Sequence, residues 1–290
     1  MKELVVLLSA FFVLAVCPGA MALSVYFDDG DSHAVDDATY QYDSVKLDYN
    51  IANDPGTHLS LVDGGLVDKL YTYNIAVITM AGGLVDSLWS CGNGTVTMTG
   101  GAVGADLGAT NNGTITITSG SVGGSLKAWD NSTVTMSGGS VADDLFAWHN
   151  ATVSMTGGSV DKLLEAKNNA TIYLDGTGFQ VGGTVLEKGD KLSDFGTFNG
   201  SYYTGTVTGT LSDGAALDNT FSIYNTGEYE GTADIIIGEH CNYVLAGDLD
   251  GNCRLDLADL AVVAANWLID CNANPADPAC IPKTNYTNPD

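Results

Sequence analysis

Basic side chains are scarce in this 290-residue chain: 10 Lys and Arg stand against 35 Asp and Glu, a formal charge of −25. Arg254 is the only arginine, which nearly excludes a site built on arginine forks. The same deficit argues against nucleic acid, whose phosphates need clustered cations, and against anionic membrane surfaces. Proline is also sparse, with 6 residues, so a proline-rich stalk is excluded. Long hydrophobic runs are missing beyond Leu4–Val16, which is short for a membrane span. With Lys2 before that run and Ala20-Met21-Ala22 after it, residues 1–22 read as a secretory leader. The expected location is secreted or cell-surface.

Cysteine is thinly spread until the end of the chain. Removal of the leader would take Cys17 and leave five. Cys241, Cys253, Cys271 and Cys280 crowd together and suggest two disulfides, for which three connectivities are possible. Cys91 lies far from them and reads as a small packed side chain or an exposed thiol.

What is abundant is glycine, with 36 residues, and a repeat. Asn74, Asn93, Asn112, Asn131, Asn150 and Asn169 recur every 19 residues, and Leu88, Leu107, Leu126, Leu145 and Leu164 keep the same step. Gly-Gly pairs at 64–65, 82–83, 100–101, 138–139 and 157–158 mark a common turn. Inside each unit, Val96 and Met98, Ile115 and Ile117, Val134 and Met136, and Val153 and Met155 alternate with Thr or Ser. Period two is strand spacing. One 19-residue unit has too little apolar surface to bury alone, whereas stacked units build a continuous core. The expected fold is all-β: a parallel β-solenoid of three short strands per coil, with Gly and Asn at left-handed corners. Six coils over residues 57–183 would span roughly 29 Å at the strand spacing. Residues 23–56 are expected to cap the first coil, and 184–240 to form a β-rich cap over the last. The repeats resemble the 19-residue units of bacterial autotransporter-type adhesin passengers, and that resemblance implies an adhesive or structural surface protein.

Outward positions form columns. Thr95, Thr114, Thr133, Thr152 and Thr171 make one; Thr97, Thr116, Thr135, Ser154 and Tyr173 make another. Such a T-x-T array resembles the ice-binding face of some antifreeze proteins, although threonine is also simply a favourable exposed strand residue. The Asn column creates N-x-T sequons, read either as glycosylation sites or as corner residues before a strand. Trp129 and Trp148 share a column near Phe146 and Trp89. These aromatics form either a glycan platform or a ladder packing between coils. The fold also resembles that of pectate-lyase-like and polygalacturonase-like enzymes. Their arginine-containing motifs have no counterpart here, and the Asp143-Asp144 pair need not converge, because neighbouring strand residues point to opposite faces. His33, His58, His149 and His240 are scattered. No catalytic constellation emerges.

The densest chemistry lies in residues 248–259. Asp248, Asp250, Asn252, Asp256 and Asp259 offer side-chain oxygens at positions 1, 3, 5, 9 and 12 of a loop, with the backbone carbonyl of Arg254 at position 7. That all-oxygen set suits Ca²⁺. The following residues 257–269 carry a helical apolar stripe. Gly247-Asp248-Leu249-Asp250-Gly251 and Asp256-Leu257-Ala258-Asp259-Leu260 resemble one half of a type I dockerin. The resemblance implies a small α-helical calcium module over 241–290 and a cohesin-like or other cell-surface scaffold partner. Cys253 replaces the usual glycine, Leu257 and Ala258 replace hydroxyl residues, and no second loop follows. A pairing such as Cys253–Cys271 with Cys241–Cys280 would stand in for the missing half.

Overall fold

The computed structural model describes residues 23–49, 56–226, 229 and 231–238. The leader, the clustered cysteines and the acidic loop fall outside the described residues. Within them the chain is a parallel β-solenoid of about 8 turns with almost no helix.

A central coil consists of Thr95–Met98, Ala102–Val103 and Leu107–Ala109, and the next of Thr114–Ile117, Ser121–Val122 and Leu126–Ala128. Each strand pairs in parallel with the equivalent strand of the neighbouring coil, so equivalent positions stack in columns, and the inward columns stay apolar throughout. Val96, Ile115, Val134, Val153 and Ile172 form one inward column. Leu88, Leu107, Leu126, Leu145 and Leu164 form another, each 0% exposed. Burying a leucine is worth about 1.5–3 kcal/mol, which is why a register slip that turned this column outward would be prohibitive.

The corners hold a surprise. The left-handed residue is not the repeating asparagine but the one before it: Gly92, Asn111, Asp130, His149 and Asn168, with φ between 58° and 66°. Asn93, Asn112, Asn131, Asn150 and Asn169 instead follow that corner. Asn74 belongs with the left-handed set at φ 49°, because the coil beginning at Leu66 pairs Leu66 with Leu84 and Thr72 with Ser90, one residue short of the usual step.

The solenoid also starts earlier than the repeat. Strand β1 (Ser24–Phe27) pairs in parallel with the second half of β3 (Tyr40–Leu47), and β2 (Ser32–Val35) pairs with His58–Leu61. The stretch expected to cap the first coil therefore continues the same ladders. Its register is displaced by an irregularity between Tyr40 and Ser44, which breaks the sequence period without breaking the stack.

At the other end the chain leaves the solenoid after Thr171–Leu174. Gly176–Val181 pairs antiparallel with Tyr203–Leu211, which pairs antiparallel with Ala216–Tyr224. The latter returns to lie parallel to Leu163–Lys167, and Asp234–Ile237 lies parallel to Thr171–Leu174. Phe179 and Phe221, each at most 1% exposed, seal this end, together with Leu192 of the short helix Leu192–Phe195.

Candidate binding faces of the solenoid

The third strand of each coil carries most of the outward aromatics. One outward column reads Lys46, Tyr71, Trp89, Gly108, Lys127, Phe146 and Glu165. Just past the same strands lie Trp129 and Trp148. Trp89 extends over Gly108, where a Cβ would sit 2.3 Å from its ring, and reaches Trp129 two coils away at a centroid distance of 5.2 Å. Trp129 stacks on Trp148 at 5.7 Å with planes 17° apart, and Phe146 tilts against Trp148 at 5.7 Å. The three residues singled out from sequence thus come together, joined by Trp89. The rings of Trp129 and Trp148 cover each other and are half-buried, so their shared faces are closed to a stacking sugar. Trp129 Nε1 is buried and has no hydrogen-bond partner among the described residues.

The cluster ends on a cation. Lys167 Nζ lies 4.6 Å from the centre of Trp148, 4.5 Å from Tyr224 and 5.3 Å from Tyr229, and it pairs with Glu165 at 2.9 Å. Trp148 Nε1 donates to the same carboxylate at 2.9 Å. With Lys167 and Glu165 at 17% and 9% exposure, this is an enclosed ion pair walled by aromatics, and its cation–π contacts are stronger than exposed ones. Sequence reasoning missed it: Tyr224 and Tyr229 lie beyond the strict repeat, where no column could be assigned. A matching group sits at the N-terminal end, where Lys46 lies over Tyr49 at 4.7 Å and Tyr26 at 5.5 Å, and Tyr49 packs edge-on to Tyr73 at 4.9 Å. Burial pushes the Tyr73 hydroxyl up to about 12.

The first strand of each coil presents the threonine columns, and they are in register. Thr95, Thr114, Thr133, Thr152 and Thr171 pair in sequence, as do Thr97, Thr116, Thr135, Ser154 and Tyr173. At the corner before them the exposed asparagines form an amide ladder: Asn112 Nδ2 donates to Asn93 Oδ1 at 2.9 Å, Asn150 to Asn131 at 3.0 Å, and Asn169 to Asn150 at 3.0 Å.

No protein-family model matches the chain, and comparison with curated proteins and with solved structures found no match.

Asp143 pairs with Lys162, while Asp144 accepts the backbone N–H of Leu163 at 3.1 Å, so the two carboxylates serve different partners. His149 Nδ1 meets Asp130 at 3.2 Å, and hydrogen bonds from Thr110 and from the Asn111 N–H hold that aspartate below the usual carboxylate range. Cys91 is half-buried, and burial pushes its thiol up to about 11. Among the described residues, no group of three or more His, Cys, Asp or Glu side chains is placed to hold a metal, and no helix is long and apolar enough to cross a membrane.

Proposed function

We propose that this is an exported, non-catalytic surface or extracellular protein, in which the solenoid acts as a rigid adhesive or structural rod and the tail attaches it. The observation that carries this reading is the in-register stacking of outward columns, which repeats one chemical face coil after coil. In the tail, Asp248, Asp250, Asn252, Asp256 and Asp259, with the carbonyl of Arg254, are an oxygen donor set suited to Ca²⁺, and a cohesin-like or cell-surface scaffold is the partner that its dockerin resemblance implies. Two measurements test the reading. Calorimetric titration of the full chain with calcium is expected to give one saturable site, lost in the Asp248→Ala/Asp259→Ala variant. A panel of polysaccharides is expected to yield no reducing ends and no unsaturated products; measurable cleavage refutes the non-catalytic role.

The second reading is a polysaccharide-binding or polysaccharide-degrading component of a dockerin-based assembly. The convergence of Trp129, Trp148, Phe146 and Trp89 on one face favours it. Its test is glycan binding that disappears in Trp129→Ala and Trp148→Ala while the fold persists. Ice binding by the threonine columns is a third reading, checked by ice-crystal shaping; Ser154 and Tyr173 interrupt the regular array it needs.

A further inference from the structure

The two ends of the solenoid differ. At the C-terminal end, Ala216–Tyr224 has a strand on either side, and Lys191 bridges the outer side of Asp234–Ile237 at Ile236. At the N-terminal end, β1 pairs only with β3, and β2 only with His58–Leu61, among the described residues. The backbone hydrogen bonds identify the groups this pairing uses. Leu23 O accepts from Ser44 N at 2.9 Å, Phe27 O from Asp48 N at 3.0 Å, Asp31 O from His58 N at 3.0 Å and Val35 O from Val62 N at 3.2 Å. Successive strand residues turn their backbone groups to opposite sides, so Ser24, Tyr26, Ser32 and Ala34 aim theirs away from the second coil.

The edge has a strong charge. Residues 23–49 contain seven aspartates, of which Asp48 is buried against Thr57, set against Lys46 alone, and Lys46 already lies over Tyr26 and Tyr49. Asp29, Asp31, Asp36 and Asp37 occupy the corners that flank β2, all on the outermost coil. Beside them Leu23, Tyr26, Tyr42 and Tyr49 are 65%, 44%, 61% and 48% exposed. Charged side chains on an edge are a recognised way to repel other edges. Here they repel a second copy of the same end, because a head-to-head pairing would set these aspartates against their counterparts.

We propose that this N-terminal edge is a strand-docking site for an extended basic segment of another protein, added beside β1 and β2. Main-chain bonds would supply the fit, as in other cases of strand addition, and the aspartates would select lysine- or arginine-bearing strands. The site abuts the Lys46 group described above but is distinct from the Trp129–Trp148 and threonine faces, and it goes beyond the rod-and-tail reading.

Fluorescence anisotropy of the full chain with a labelled peptide of alternating lysine and valine tests it. Saturable binding is expected, weakening roughly tenfold or more as salt rises from millimolar to molar levels. A glutamate–valine peptide, and a lysine–valine peptide interrupted by prolines, are expected not to bind. In the protein, Ser24→Pro with Ala34→Pro removes outward N–H groups while leaving the bonds to the second coil, and is expected to weaken binding at least about tenfold with an unchanged far-ultraviolet spectrum. Failure of the lysine–valine peptide to bind overturns the proposal. So does equal binding of the proline-interrupted peptide, which would mean diffuse charge attraction, and so does a dimer at neutral pH that masks the edge.

Discussion

Replacing Gly108 with alanine tests whether Trp89 is held by packing between coils. The added Cβ would lie 2.3, 2.5 and 2.7 Å from three ring carbons of Trp89, all inside van der Waals contact. Either the indole swings off Gly108, losing its 5.2 Å contact with Trp129, or the third strand shifts. Overpacking of this kind costs about 1–3 kcal/mol. Against it stands the ordinary benefit of Gly→Ala, about 0.4–1 kcal/mol from a less flexible unfolded chain, which applies because Gly108 is absent from the residues with positive φ. Gly108→Ala should therefore destabilise the protein by roughly 1–2 kcal/mol. In a Trp89→Ala background the obstruction is gone, and the same substitution should stabilise by about 0.4–1 kcal/mol. The sign of the effect thus reverses between backgrounds. Urea denaturation of the four proteins measures it, with near-ultraviolet dichroism following the indoles. A coupling below about 0.5 kcal/mol, which is what independent sites show, would refute the argument.

Three further outcomes are expected. Asn219 is 2% exposed and donates from Nδ2 to the carbonyls of Val160 at 2.7 Å and Lys162 at 2.9 Å, so Asn219→Leu should cost about 1–3 kcal/mol in urea denaturation by orphaning them. Asp234 is raised above its ordinary 3.8 by burial, against the opposing hydrogen bonds from Ser193 and Ile235. The folded state therefore keeps that proton to higher pH than the unfolded state, so this group's contribution to stability is greatest in acid and falls as pH rises from 3.8 through the raised value. Asp234→Asn should remove that fall, and parallel pH profiles for variant and parent would refute the assignment. Cys91, with its thiol near 11, should be alkylated by iodoacetamide at pH 8 roughly a hundredfold more slowly in the folded than in the unfolded chain, as followed by mass mapping of its peptide.

The solenoid core was legible in the sequence because the residues that repeat are the ones that are buried. The leucine column and the Val/Ile/Met alternation state both the strand period and the coil length, and both are found. Where the coil length changes, the pattern misleads. Asn74 precedes Asn93 by a full 19 residues yet sits at the corner of Gly92, because one coil is a residue short, and the repeat is invisible in residues 23–47 because Ser32 pairs with His58 across a longer step. The aromatic face was half legible. The shared column of Trp129 and Trp148 follows from the period, but Trp89 reaches Trp129 only across the space left by Gly108, a diagonal contact that no column reveals. Likewise, Lys167 meets Tyr224 only because the chain makes an antiparallel excursion and returns, which is a tertiary fact.

The two outward faces suit different partners, and the difference bears on function. The aromatic face changes identity at each coil, from Tyr71 and Trp89 through Gly108 and Lys127 to Phe146 and Glu165, and its indoles are partly covered by one another. A ligand there would have to read an irregular sequence of ring edges and enclosed charges, which favours one placement along the rod. The threonine columns offer the same hydroxyls and methyls on the three coils from Thr95 to Thr135, stepped by the spacing between hydrogen-bonded strands, about 4.8 Å. A partner with its own repeat can engage several such steps at once, and each further coil adds contact without new chemistry. For an adhesive rod that is the more fitting arrangement: many weak, equivalent contacts raise avidity with length, provided the stack stays rigid enough to keep them in register. The aromatic ladder, and the contacts of Lys167 with Trp148 and Tyr224 on either side of its own strand, tie neighbouring coils together, so the third strands hold the first in line.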